Sequence, residues 1–103
     1  MDILDLGCGT GGLCFALNKA VIDDINVVGI DISKKQLFYA RNKAQAKSLK
    51  FNFAEMSIDK LFFRNESFDI VMTSMVLHET PVSVRHKAIA EASRVLKKMD
   101  IFY

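Results

Sequence analysis

A chain of 103 residues, half of them hydrophobic, can bury one thin core and is too short for two domains. Fourteen basic residues against twelve acidic ones leave a net charge of +2, a near balance that gives no reason to expect nucleic acid or a membrane surface as a partner. No apolar run approaches the roughly 18 residues of a membrane span, no targeting segment precedes the first apolar residues, and two cysteines with two histidines make no metal-ligand set, so a reduced, cytoplasmic, metal-free protein is expected.

The first strand spans Asp2 to Leu6, and its near-continuous apolar character suits burial on both faces. It breaks into Gly7-Cys8-Gly9-Thr10-Gly11-Gly12, where four glycines in six positions permit positive φ and let the backbone approach a bound molecule more closely than a side chain would allow. A helix from about Gly11 to Ala20 follows, so the turn also feeds a helix N-terminus with free N–H groups. Cys8 stands in this turn with no base beside it in sequence, at a place where close packing calls for a small residue.

A second strand, Ile25 to Asp31, ends in a carboxylate, and Ser33 is placed to cap the next helix, Lys34 to about Ala46. That helix sets Leu37, Ala40 and Ala44 on one face, while Lys34, Lys35, Arg41, Lys43, Lys47 and Lys50 follow the spacing of a solvated face and its exit. A third strand is predicted over Leu49 to Ala54 and a fourth over Phe68 to Thr73, entered through the polar turn Arg64-Asn65-Glu66-Ser67. Pro81 ends whatever precedes it, and Ser83 is placed to cap a last helix, Val84 to Lys98, with Ala88, Ile89, Ala92, Val95 and Leu96 as its apolar stripe. Ile101-Phe102-Tyr103 reads as the opening of another strand. The alternation predicts one α/β domain over residues 1–103, a parallel sheet with helices on both faces, and a ligand at the carboxyl ends of the strands beside the first.

Asp5-Leu6-Gly7-Cys8-Gly9-Thr10-Gly11 resembles the first motif of class I S-adenosylmethionine-dependent methyltransferases, an acidic residue followed by three alternating glycines. Gly7, Gly9 and Gly12 with Asp31 also satisfy the dinucleotide fingerprint G-x-G-x-x-G. Asp5 separates the two, because a carboxylate beside the turn repels a pyrophosphate and favours the ammonium of S-adenosylmethionine.

The resemblance implies a three-layer Rossmann-like fold with strand order 3-2-1-4, a fifth strand adding beyond the fourth, and S-adenosylmethionine as cofactor. It implies a cofactor set of Asp5, Gly7, Cys8, Gly9, Gly11, Asp31, Ile32, Glu55, Met56, Ser57 and Ser74. In that set Asp31 accepts hydrogen bonds from the ribose hydroxyls, Ile32 and Met56 cover the adenine, and Glu55 and Ser57 compete for its amino group. Ser74-Met75-Val76-Leu77-His78-Glu79 borders the methyl-transfer site, with His78 the candidate base for an oxygen or nitrogen acceptor and Glu79 able to orient it. Asp69 is expected to be structural and His86 exposed.

Glu91-Ala92-Ser93-Arg94-Val95-Leu96-Lys97-Lys98 resembles the family's helix between the fourth and fifth strands; the proline and glycines that usually follow are replaced by Met99-Asp100, and the helix that often precedes the first strand is absent. An open sheet edge is therefore expected, covered by a second copy or a partner chain. Methyl transfer to an unidentified small molecule is the leading reading; an inactive cofactor-binding remnant or interaction module is the alternative, and an NAD-binding domain a third.

Overall fold

The computed structural model describes residues 1–20, 24–74 and 80–98. At its centre lies β1 (Asp2–Leu6), flanked by β2 (Asn26–Asp31) and β4 (Ile70–Thr73), with β3 (Asn52–Glu55) outside β2. All pairings are parallel: Leu4 stands opposite Val28 and Val71, and Asp31 opposite Glu55, in the predicted order β3-β2-β1-β4. Three helices complete the described residues: α1 (Gly12–Ala20), α2 (Lys34–Ala46) and α3 (Val82–Val95).

The apolar run of β1 has two destinations because successive side chains point to opposite faces. Ile3 packs with Cys14 and Phe15 of α1 and with Leu37, Ala40 and Ala44 of α2. Leu4 and Leu6 pack with Ile30, Ile58, Leu61, Phe68, Ala88 and Val95. The second face is thus covered by α3 and by the connection from β3 to β4, which folds without a helix and still buries Ile58 and Leu61.

Several predicted boundaries move, each for a local reason. The third strand begins at Asn52 rather than Leu49 because the exit of α2 consumes the residues between: Ser48 takes φ 55°, its N–H donates to the Gln45 carbonyl, and the Leu49 N–H donates to Ala44. The last helix starts at Val82, with Pro81 as its N-cap and no side-chain cap, so Ser83 lies inside it. It ends at Val95, where Leu96 turns extended (ψ 137°) and bridges Phe68 in parallel, and the Lys97 N–H donates to the Phe68 carbonyl at 2.8 Å. Phe68 is accordingly taken out of β4, which begins at Ile70. Of the predicted stripe, Ala88 and Val95 are buried, whereas Ile89 is 55% exposed beside the outer edge of β4. Residues 101–103 lie outside the described residues.

One close approach fixes how the turn after β1 sits on the sheet. Gly29 of β2 lies under Cys8, and a Cβ there would stand 2.9 Å from the Cys8 Sγ, 3.0 Å from its Cβ and 2.9 Å from Phe53 Cδ1. Gly29→Ala is expected to destabilise by about 1–3 kcal/mol through overpacking, read as a fall in the thermal midpoint. Adding Cys8→Ala should recover only part of the loss, because the Cβ and Phe53 contacts remain; complete recovery, or no loss at all, would contradict this packing.

Candidate functional site

The turn after β1 is built on positive φ at Gly7 (65°), Gly9 (57°) and Gly11 (89°), the left-handed region that glycine enters without steric cost. The Cys8 N–H donates to the Ile30 carbonyl at 2.8 Å, and Gly11 N–H closes back on Cys8 at 2.9 Å, so the chain curls over the end of β2. Gly11 is also pressed from below, since a Cβ on it would lie 2.8 Å from the Phe15 ring. Gly9 differs: a Cβ there would meet nothing within 4 Å, which leaves a shallow open cradle above its backbone.

Asp31, at the end of β2, braces this turn. One carboxylate oxygen accepts the Gly9 N–H at 2.9 Å and the other accepts the Ser33 N–H at 2.8 Å, while Ser33 caps α2 through a bond from the Gln36 N–H at 3.3 Å. Each carboxylate oxygen retains a lone-pair direction after one such bond. Asp31 therefore braces both the glycine turn and the cap residue of α2, while Ser33 itself does the capping.

A cleft of about 190 Å³ opens at the carboxyl ends of β1, β2 and β3, lined by Gly7, Asp31, Ile32, Met56, Ser57, Ile58, Thr80 and Val84. Five of these were singled out from the sequence; Ile58, Thr80 and Val84 were not. Ile32 is 73% exposed at the rim, a large apolar side chain held in water. Met56 is fixed by its N–H donating to the Asp31 carbonyl at 3.1 Å, and the Ser57 hydroxyl donates to the Asp59 carboxylate. Glu55 is exposed, reaches Lys34 at 3.9 Å and is not part of the lining, whereas Ser57 is. Ser74 is exposed just beyond β4 and outside the lining. His78 and Glu79 lie outside the described residues, and His86 is exposed on α3.

The remaining candidates lie beneath the turn rather than on the wall. The Cys8 thiol is buried against Gly29; burial, reinforced by Asp5 and Asp31, pushes its pKa up to about 12, which holds it protonated at neutral pH. Asp5 is fully buried on the α1 side, where one oxygen accepts from the Cys14 thiol at 3.2 Å and the other has no partner among the described residues. Burial raises the Asp5 pKa above its ordinary 3.8, the Cys14 bond opposes that, and repulsion from Asp31 adds to it. The cysteines are free thiols, and no group of three metal-ligating side chains occurs among the described residues.

The sign of the Asp5 effect is fixed by these causes. Its folded-state pKa lies above the unfolded one, so the cost of the buried charge is fully present above the folded pKa, declines as pH falls below it, and is gone below the unfolded pKa. Asp5→Asn is therefore expected to stabilise at neutral pH by about 1 kcal/mol or more, roughly 4–8 °C for a domain of this size. Melting curves of both proteins should converge as the pH is lowered through the folded pKa towards 3.8. A destabilised variant at neutral pH, or a gain that does not shrink in acid, would contradict the assignment.

The chain is 35% identical to the arsenite methyltransferase of Homo sapiens, an alignment covering 92% of this chain and 28% of that protein. It is 35% identical to the demethylmenaquinone methyltransferase of Lactobacillus johnsonii, covering 91% and 38%. It thus spans about a third of the curated relatives it matches. Among solved structures it resembles an arsenic (III) S-adenosylmethionine methyltransferase from Chlamydomonas reinhardtii (TM-score 0.82, 28% identity, 94% of this chain and 35% of that one). A SAM-dependent methyltransferase from Aquifex aeolicus is similar at TM-score 0.80 and 28% identity, covering 94% and 51%. With residues 3–99 matched by the methyltransferase domain model on a β3-β2-β1-β4 parallel sheet, the chain belongs to the S-adenosylmethionine-dependent methyltransferase family.

Proposed function

We propose that this domain binds S-adenosylmethionine in the cleft at the ends of β1, β2 and β3 and supports transfer of its methyl group to a small-molecule acceptor. The observation that carries the reading is the pair of carboxylates around the glycine turn. Asp5 lies buried below it, and Asp31 stands beside it, accepting the Gly9 N–H at 2.9 Å. A pyrophosphate laid on this turn would add negative charge to two carboxylates, whereas S-adenosylmethionine, whose sulfonium and ammonium outweigh its one carboxylate, brings net positive charge to them.

The residues present fit the parts of that cofactor. The open backbone at Gly9 admits the methionyl portion, with Gly7 on the cleft wall beside it. Asp31 offers its remaining lone pairs to the ribose hydroxyls, charge-assisted bonds worth roughly 1.5–3 kcal/mol each at best. Ile32 and Met56 supply apolar surface for the adenine faces, and Ser57 a polar group at its edge. Asp5 acts through the turn as a buried negative charge rather than as a contact. S-adenosylmethionine supplies an activated methyl on sulfur; the chain's part is to hold the nucleoside and align the donor for in-line attack, which accounts for much of the rate when the acceptor is already nucleophilic. His78 is proposed as the base for an acceptor that must lose a proton.

The chain's coverage of about a third of its relatives favours a second reading, a cofactor-binding portion that turns over only with further substrate-binding parts. Isothermal titration with S-adenosylmethionine, S-adenosylhomocysteine and NAD, followed by an assay for S-adenosylhomocysteine formation on a metabolite extract, distinguishes the readings. Binding of the first two but not NAD is expected, with Asp31→Ala weakening S-adenosylhomocysteine by at least about tenfold. Binding without turnover would favour the second reading; NAD binding without S-adenosylmethionine binding would overturn both.

A further inference from the structure

The connection from β3 to β4 carries three of the cleft-lining residues, Met56, Ser57 and Ile58, yet it has no helix of its own to satisfy its backbone. Around Leu61, Phe63 and Asn65 its hydrogen bonds are supplied instead from the far end of α3. Glu91 accepts the Leu61 N–H at 2.9 Å on Oε1. Arg94 donates from Nη2 to the Leu61 carbonyl at 3.0 Å, and from Nη1 to the Phe63 carbonyl at 2.8 Å and the Asn65 Oδ1 at 2.9 Å. Its Nε and second Nη2 hydrogen go to the two Glu91 oxygens at 2.5 and 3.2 Å.

Every N–H of the guanidinium is thereby committed, two to Glu91 and three to the connection, a pattern that the point charge and three donors of a lysine cannot reproduce. Leu61 is gripped at both its N–H and its carbonyl. From there the constraint runs a short way to the cleft: the Lys60 N–H donates to the Ser57 carbonyl at 3.2 Å, and the Phe62 N–H points to the Met56 sulfur at 3.4 Å. Ile58 and Leu61 are both buried against the sheet, so the turn between them has little room to adjust independently. The other end of α3 contributes Val84 to the same cleft.

We infer that Arg94, held by Glu91, is a positioning residue for the nucleoside: it fixes the Met56–Ile58 wall of the cleft without touching the ligand. The inference rests on the proposed S-adenosylmethionine site. Nothing in it concerns the methionyl end, so the effect of losing the clamp is confined to the adenosine half of the ligand.

The test compares Arg94→Lys with Val27→Ala, a buried substitution in the core on the other face of the sheet that lowers stability without touching the connection, both measured at a temperature where each variant is folded. In the free proteins, amide exchange at Lys60 and Leu61 is expected to accelerate in Arg94→Lys while the amides of β1 keep their protection. Titration is expected to show about a tenfold loss of affinity in Arg94→Lys, equal for S-adenosylhomocysteine and 5′-methylthioadenosine, which lacks the amino acid moiety. Val27→Ala is expected to bind both within about twofold of the parent chain. Unchanged affinity in Arg94→Lys, a loss matched by Val27→Ala, or a loss confined to S-adenosylhomocysteine would overturn the inference while leaving the binding site intact. Failure of the parent chain to bind either nucleoside would overturn the proposed function, and this inference with it.

Discussion

The two hydrogen bonds accepted by the Asp31 carboxylate, from Gly9 and from Ser33, set the geometry on which the candidate site depends. They tie the glycine turn after β1 to the start of α2, two segments brought together only because β1 and β2 lie side by side in parallel. Within this left-handed turn Gly11 is held by the Phe15 ring and Cys8 by Gly29, but Gly9 has open space above it, so a charged acceptor on the neighbouring strand is its effective restraint. The same bonds hold Asp31 at the edge of the cleft that it helps to line.

Charge and packing around this turn work against one another. The Cys8–Gly29 contact and the Phe15 ring beneath Gly11 seat the turn tightly, and that tightness also seals Asp5 in a place where its charge is poorly solvated. A buried carboxylate with one oxygen unpartnered among the described residues destabilises the fold. In the proposed complex, net positive charge on the ligand would offset part of that cost.

Much of this was legible in the sequence because local signals agreed. The uninterrupted apolar run of Ile3 and Leu4, the clustered glycines and the terminal Asp31 together identify a parallel strand, its turn and its neighbour, and the observed sheet has the expected order. Boundaries were less legible where tertiary bonds override local preference: Leu49 is taken by the exit of α2, and Leu96 by Phe68. At the site, alternation along β1 places Asp5 on the face of Ile3, towards α1, which composition and spacing do not reveal without knowing which face the cleft adjoins. Thr80 and Val84 reach the cleft only through the placement of α3, and the Arg94–Glu91 clamp joins positions thirty residues from Leu61, so neither carries a signal in its immediate sequence.

The most direct test of the carboxylate-flanked turn as a sulfonium nucleoside site is a backbone and methyl NMR titration with S-adenosylmethionine and, separately, with NAD. Saturable shifts centred on Gly9, Asp31, the Ile32 and Met56 methyl groups and Ser57 are expected with the first ligand and not with the second. Shifts confined to other surfaces, or produced at the glycine turn by the diphosphate alone, would contradict the assignment.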